Sequence, residues 1–160
     1  MTDEEWRQYQ DLLYSHPKQY ARIAEEMIEA YPDDSAGYRD HATYSIHMDS
    51  FDHALSDLTR ALALDGNVVT RFERATVLMR LGRYHEALAE FDLCGRSWTT
   101  IMHACRATCH AHLGNLDEAL AECAKIHDDH CMPDICGQFG GTKAQITETA
   151  RRIASAGRQG

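Results

Sequence analysis

A pattern that recurs about every 33 residues limits what this chain can fold into more than any other feature of its sequence. Three segments carry small residues at two fixed positions, which are Ala42, Ala75 and Ala107 for the first position and Ala54, Ala87 and Ala119 for the second. Small side chains let two helices approach closely where their axes cross. A repeat of this length cannot bury its own apolar face, so the pattern predicts a stack of similar units.

Each unit has the pattern of two amphipathic helices joined by a tight turn. The apolar residues between 72 and 79 follow the spacing of one helix face. Gly82 and Gly114 come just after the first helix of two units, where a left-handed backbone is needed and glycine adopts it without strain. Asp49 holds the same place in another unit, and aspartate tolerates this backbone next best. The sequence therefore predicts helix, turn and helix in every unit.

The runs 81–91 and 113–123 share Leu-Gly, then Tyr or Leu, then Glu-Ala-Leu. With a small residue in the preceding helix, they resemble the tetratricopeptide repeat (TPR). The resemblance implies an all-α fold in one domain, a right-handed superhelix of antiparallel helix pairs with about four repeats and a C-terminal capping helix. The units are expected at 1–34, which is divergent, and at 35–67, 68–99 and 100–132, with a loop and the capping helix in 133–160.

Both ends of the chain depart from the repeat pattern but keep helical signals. Thr2 with Glu5 predicts a capping box, and a second helix is predicted over about 17–30 after a turn two residues shorter than that of the family. A last helix is predicted over 142–156, with three apolar residues on one face, Ile146, Ala150 and Ile153. Asn115 with Glu118 predicts one further cap inside the repeats.

The resemblance also implies where a partner would bind. The first helices of TPR units line a concave groove that holds a peptide or a partner helix. The groove positions of the family fall here on Arg7, Tyr14, Arg39, Thr43, Ile46, His47, Phe72, Thr76, Met79, Arg80, Arg83, Thr108 and His112. This set is basic and partly apolar, which favours an acidic, partly apolar partner segment. The alternative is that the apolar members pack between repeats and the arginines are only solvated.

The charge of the chain excludes some classes of partner. Its formal net charge is −9 with histidines neutral, which argues against nucleic acid and anionic membranes, because both need clustered Lys and Arg. No apolar run is long enough to span a membrane. The N-terminus shows no basic region followed by an apolar one, so we expect a cytoplasmic protein. A homodimer stays open.

Six cysteines and ten histidines suggest chemistry that has to be weighed. The run 105–110 resembles a haem-attachment motif, but three residues separate its cysteines where that motif has two, which argues against haem. His127, His130, Cys131 and Cys136 are candidate zinc ligands, although their spacing fits no standard finger. The alternative is a polar turn that packs against the last helix. Cys94 and Cys123 are predicted to be buried thiols. Three histidines are read as surface or interface residues without a matching partner, namely His41, His53 and His85.

No catalytic motif is present: the chain has no phosphate-binding glycine loop, His-Glu-x-x-His or Gly-x-Ser-x-Gly. We therefore expect no enzyme activity and no cofactor. The leading expectation is a module that binds a protein or peptide, as an adaptor, a chaperone or an inhibitor. The alternative is a metal-binding or redox-responsive protein that uses the last third of the chain.

Overall fold

The computed structural model describes residues 2–95, 99–129, 131–132 and 141–157. Over these ranges the helices are α1 (Asp3–Ser15), α2 (Pro17–Ala30), α3 (Ser35–His47), α4 (Phe51–Asp65), α5 (Val68–Arg80), α6 (Tyr84–Leu93), α7 (Thr99–His112), α8 (Leu116–Ala124) and α9 (Lys143–Ala156). Two short strands, β1 (Cys131–Met132) and β2 (Gly141–Thr142), pair antiparallel. The prediction of an all-α fold is confirmed. Within the described ranges, no helix is both long and apolar enough to cross a bilayer.

The turns inside the repeats have the backbone that the sequence predicts. Three residues separate α3 from α4, α5 from α6 and α7 from α8. Each turn contains one left-handed residue: Asp49 at φ 55°, Gly82 at φ 74° and Gly114 at φ 77°. Only His16 lies between α1 and α2, which confirms the shorter turn of the divergent first unit.

The helix caps agree with the sequence at the two ends of the chain and differ inside it. Thr2 with Glu5 forms a capping box on α1, and Thr142 with Gln145 forms one on α9. Asn115 is the N-cap of α8, but its side chain makes no capping hydrogen bond, so that prediction is wrong. Its backbone closes the preceding turn instead, with N–H donating to the His110 carbonyl at 2.9 Å, and its ψ of 73° is not the extended value of a capping residue.

The residues divide into two compact units, unit 1 (Met1–Val77) and unit 2 (Leu78–Gly160). In unit 1, α3 packs against both α2 and α4, and α1 packs against α2. Gly37 lies where α3 approaches α2 most closely, because a Cβ there would be 2.9 Å from Ile28 Cγ1 and 3.2 Å from the Ala24 carbonyl oxygen. Tyr9, Leu13 and Tyr20 form a buried cluster between α1 and α2.

In unit 2, α9 packs against both α7 and α8. The shared core is built from small and branched side chains, namely Ala104, Ala107, Ala111, Ala119, Cys123, Ile126, Ile146, Ala150 and Ala154. The predicted last helix and its apolar face are therefore confirmed, with Ile153 half-buried at the edge. Cys94 and Cys123 are buried, as predicted.

Candidate partner-binding surface

The predicted binding residues of the first two repeats lie on α1 and α3, which are neighbours in unit 1. The rings of Tyr14 and His47 meet edge to face, with centroids 5.5 Å apart and an interplanar angle of 86°. The Tyr14 side chain is 77% exposed and His47 is also exposed. Thr43 and Ile46 are half-buried on α3. We call these four residues the α1/α3 face.

The other predicted positions differ in how much solvent they meet. Arg7, Arg80 and Arg83 are exposed, and the half-buried positions are Arg39, Phe72, Thr76 and His112. Met79 and Thr108 are only 5% and 1% exposed. The Thr108 hydroxyl donates to the Ala104 carbonyl at 2.8 Å. The Met79 and Thr108 side chains therefore lie in the interior and are not part of the candidate surface.

Two of the arginines that give this surface its basic character meet acceptors within the chain, whereas Arg39 Nε has no hydrogen-bond partner among the described residues. Arg83 forms two hydrogen bonds to Glu86, of 2.7 and 2.6 Å, and Arg7 Nε donates to the Asp3 carbonyl at 3.3 Å. Burial raises the pKa of Asp40 and of Glu73, and the nearby Arg39 charge opposes that rise. At Asp65 the hydrogen bonds outweigh burial and lower the pKa, and the Arg39 charge adds to this effect. The positive charge at these positions is therefore already partly neutralised.

Beneath the α1/α3 face, two tyrosines hold α1 and α2 to α3 through one carboxylate. The Tyr9 hydroxyl donates to Asp40 Oδ2 at 3.1 Å and the Tyr20 hydroxyl to Oδ1 at 3.2 Å. The two rings stack with centroids 4.6 Å apart. Burial raises the pKa of Asp40, and burial together with the Asp40 charge raises the pKa of both tyrosines. This arrangement fixes the position of α1, and with it Tyr14.

The sequence contains a signal for this tyrosine contact, which is the position of Tyr9 in the repeat. Tyr9 lies 33 residues before Ala42, which places it at the small-residue position of the repeat. A large side chain there keeps helices from crossing closely unless it has a site of its own. Its stacking on Tyr20 supplies that site.

In unit 2, one buried carboxylate joins α8 to α7, and one of its partners links α7 to the end of α6. Glu122 is 6% exposed and is contacted by His103 Nδ1 at 2.6 Å, Arg106 Nε at 3.1 Å and Lys125 Nζ at 3.2 Å. Arg106 also binds Asp92 of α6. Burial opposes the charged form, but these hydrogen bonds outweigh it and lower the pKa of Glu122.

A pair at the same repeat position occurs in unit 1, where it corrects one prediction. His41, read from the sequence as a surface or interface histidine without a matching partner, is half-buried and does have a partner, since its Nδ1 lies 2.8 Å from Asp57 Oδ2. His41 directly precedes Ala42, and Arg106 directly precedes Ala107. Their acidic partners, Asp57 and Glu122, each lie three residues after the alanine at the second fixed position of the same repeat. Sequence comparison of the repeats could therefore have found both pairs. His53 and His85 are exposed, as predicted.

His112, a predicted groove residue of the last repeat, has an aromatic partner. Its ring stacks on Tyr84 with centroids 4.4 Å apart and an interplanar angle of 4°. Tyr84 begins α6 and His112 ends α7. The stacking holds His112 against Tyr84, and His112 is half-buried.

The metal candidate falls mostly where the structure is not described. His127 is exposed, while His130, Cys136 and the side chain of Cys131 lie outside the described residues. Among the residues that are described, no group of three or more His, Cys, Asp or Glu side chains is arranged to hold a metal ion. The zinc hypothesis therefore stays a sequence-based prediction.

Comparison with known proteins gives one structural likeness. No protein-family model and no curated protein matches the chain. Its fold is similar to the crystal structure of TTC0263, a thermophilic TPR protein in Thermus thermophilus, with a TM-score of 0.59 and 19% identity over 91% of this chain and 75% of that one. Together with the helix pairs and their left-handed turns, this likeness establishes the architecture. The chain therefore has the all-α fold of a TPR-type repeat protein.

Proposed function

We propose that this protein is a non-catalytic interaction module that binds a segment of another protein on the α1/α3 face. The observation that supports it most is the contact between Tyr14 and His47, which places an exposed aromatic pair across two neighbouring first helices. TPR-type folds act as protein-interaction scaffolds, and their first helices supply the binding surface. An adaptor, a chaperone and an inhibitor would all use this same step.

The partner segment that suits this surface is apolar or aromatic at its centre. Tyrosine is one of the residue types that dominate binding hot spots, because it covers much area and loses little conformational entropy. Ile46, half-buried beside His47 in the sequence, adds apolar area to the pair. A partner side chain packed on Tyr14 would cover most of the 77% of that residue that solvent now reaches.

The acidic character expected of the partner is not part of this proposal. That expectation depended on free arginines, whereas Arg83 pairs with Glu86 and Arg39 lies in the field of three carboxylates. An incoming acidic segment would have to compete with these groups. We therefore assign the binding to apolar contact and the hydrogen-bonding capacity of His47.

A display selection tests the proposal with the full chain as bait and a random peptide library as the probe. Peptides that bind the wild type are then measured against Tyr14→Ala/Ile46→Ser, and against Leu93→Ala as a control, because Leu93 is an equally exposed apolar residue, at 67%, on α6. We expect peptides rich in apolar residues that lose about tenfold or more in affinity with the double variant and keep it with the control. Equal affinity for all three proteins would refute the proposal.

A further inference from the structure

An open cleft of about 570 Å³ lies in unit 1 between the α2–α3 turn and the end of α4. Its apolar lining comes from Ala30, Tyr31, Pro32 and Leu64. The volume is within the range of pockets that bind ligands or side chains. Tyr31 is 67% exposed, and tyrosine is a residue type enriched at protein interfaces because one side of it is apolar and its tip is polar.

Three aspartates form the rim of this cleft. Asp34 accepts the Ala36 N–H at 2.9 Å as the cap of α3, and Asp33 has a side chain that is 93% exposed. Burial works against the charge of Asp65, but the hydrogen bonds from the Ser35 hydroxyl and a backbone N–H lower its pKa. At neutral pH the rim is therefore negative.

The described residues make one ion pair at this rim, and the Arg39 charge also acts on Asp65. Arg60 Nη2 is 3.7 Å from Asp33 Oδ1, with both side chains at least half exposed. The Arg60 guanidinium lies over the Tyr38 ring, 5.8 Å from its centroid. An exposed pair at this distance gains little energy, so a better placed cation could replace Arg60 at low cost.

The charge of the surrounding unit has the same sign. Residues 1–77 hold fifteen Asp and Glu against seven Lys and Arg, a formal charge of −8, whereas residues 78–160 hold ten against nine, a charge of −1. Twelve of the acidic residues in unit 1 are exposed, compared with four of the basic ones. A field of one sign attracts and orients a partner of the opposite sign.

We propose that this cleft is a docking site for a basic segment of a partner protein. An arginine or lysine of the segment lies between the rim aspartates, and a neighbouring apolar side chain packs on Tyr31 and Leu64. The Tyr31 ring also offers its face to the cation. The cleft shares no residue with the α1/α3 face, so it is a second interaction surface, with a partner chemistry opposite to that expected from the sequence.

Fluorescence anisotropy of the full chain tests this with two short peptides, one of alternating arginine and leucine and one with glutamate in place of arginine. The cleft variant is Tyr31→Ala/Asp33→Asn, since neither side chain is buried and Asp33 caps no helix. The control is Leu93→Ala/Asp52→Asn, which removes an apolar side chain as exposed as Tyr31, at 67%, and an exposed aspartate, both outside the cleft and the α1/α3 face. Thermal unfolding verifies that both variants are folded.

The expected result is that the arginine peptide binds the wild type and the control alike, that the glutamate peptide does not bind, and that the cleft variant loses about tenfold or more in affinity. Binding should also weaken as salt is raised. The proposal is overturned if the arginine peptide does not bind, if the glutamate peptide binds as well, or if the control loses as much as the cleft variant. Loss of binding with Tyr14→Ala but not with the cleft variant would assign the peptide to the α1/α3 face and would also overturn the proposal.

Discussion

A single threonine shows how position along a helix decides whether a buried hydroxyl is satisfied. Thr43 and Thr108 each donate to the carbonyl four residues earlier, at 2.9 and 2.8 Å. Thr70 is the third residue of α5, so the residue four earlier is Gly66, which lies before the helix in a left-handed turn. Its side chain is fully buried and its hydroxyl has no hydrogen-bond partner among the described residues.

Thr70→Val should therefore stabilise the protein, by about 1 kcal/mol, because the valine methyl fills the same space without an unpaired polar group. Thr108→Val is the matched control, since it removes a hydroxyl that has a partner, and we expect it to be neutral or destabilising. Denaturant unfolding of the reduced protein measures both. Equal effects of the two substitutions would show that the Thr70 hydroxyl is not the cause.

His41 should make the stability of the protein depend on pH near neutrality. Its hydrogen bond to Asp57 raises the pKa in the folded state, against the opposing effect of burial, and Glu25 adds to the rise at 3.8 Å. A raised folded pKa stabilises the protein fully below the ordinary histidine pKa of about 6.5. This contribution is lost as the pH rises through the higher folded value.

The test compares the free energy of unfolding of the wild type and His41→Gln between about pH 5 and 8.5, a range that spans the ordinary histidine pKa. The wild type should exceed the variant most at the acidic end, and the gap should narrow as the pH rises. His53→Gln serves as control because His53 is exposed on α4. A gap that stays constant with pH, or that widens toward alkaline pH, would contradict the assignment.

Single residues also mark where sequence-based prediction stops. Buried thiols at Cys94 and Cys123 could be predicted because core positions follow the helical period. The pairing of His103 with Glu122 could not, since the corresponding residues of the 35–67 repeat are Tyr38 and Asp57, which offer no such pair for comparison. Met79 and Thr108 are expected in the groove from the family pattern but are 5% and 1% exposed, and no local pattern distinguishes them from the half-buried Thr76.

Gly37 sets the distance between two helices. Its absent side chain lets α3 rest on the backbone of α2, where a Cβ would meet Ile28 N at 3.0 Å and the Ala24 carbonyl oxygen at 3.2 Å. Alanine usually improves an interior helix position by about 1 kcal/mol over glycine. We expect Gly37→Ala to destabilise the protein nonetheless, by about 1–2 kcal/mol, since the two backbones must move apart.

A second substitution separates the backbone contact from the side-chain contact. Ile28→Ala removes the side-chain atom that lies closest, Cγ1 at 2.9 Å, but leaves both backbone contacts in place. The double variant should therefore be less stable than Ile28→Ala by as much as Gly37→Ala is less stable than the wild type. Thermal unfolding measures the three variants. Rescue by Ile28→Ala would mean that only the side chain limits the approach.

Whole elements were the most predictable level of this structure. The repeat helices and their turns can be predicted from the sequence alone. It shows a period of about 33 residues, glycines after first helices and small alanines at fixed positions. The divergent first repeat is harder to predict, because Tyr9 occupies a position that holds alanine in the other repeats. Its role depends on Asp40, which belongs to the next repeat and could not be paired with it by local pattern.

At the scale of the whole molecule, fold and partner are separate questions. The TPR-type architecture follows from repeated helix pairs and from the likeness to TTC0263, and it does not name a ligand. The charges add information that the fold lacks, because the acidic residues are concentrated in unit 1. This concentration is visible in the sequence once the boundary near residue 77 is known, but the net charge alone hides it.

The most direct test of the central claim is amide NMR of the full chain during titration with an apolar peptide selected from the display library. The account predicts that the largest shift changes fall on α1 and α3, around Tyr14, Ile46 and His47, and that Tyr14→Ala removes them. Changes near Tyr31 and Leu64 would instead indicate the acidic cleft. Changes confined to α8 and α9, or none at saturating peptide, would contradict the claim that the α1/α3 face binds the partner.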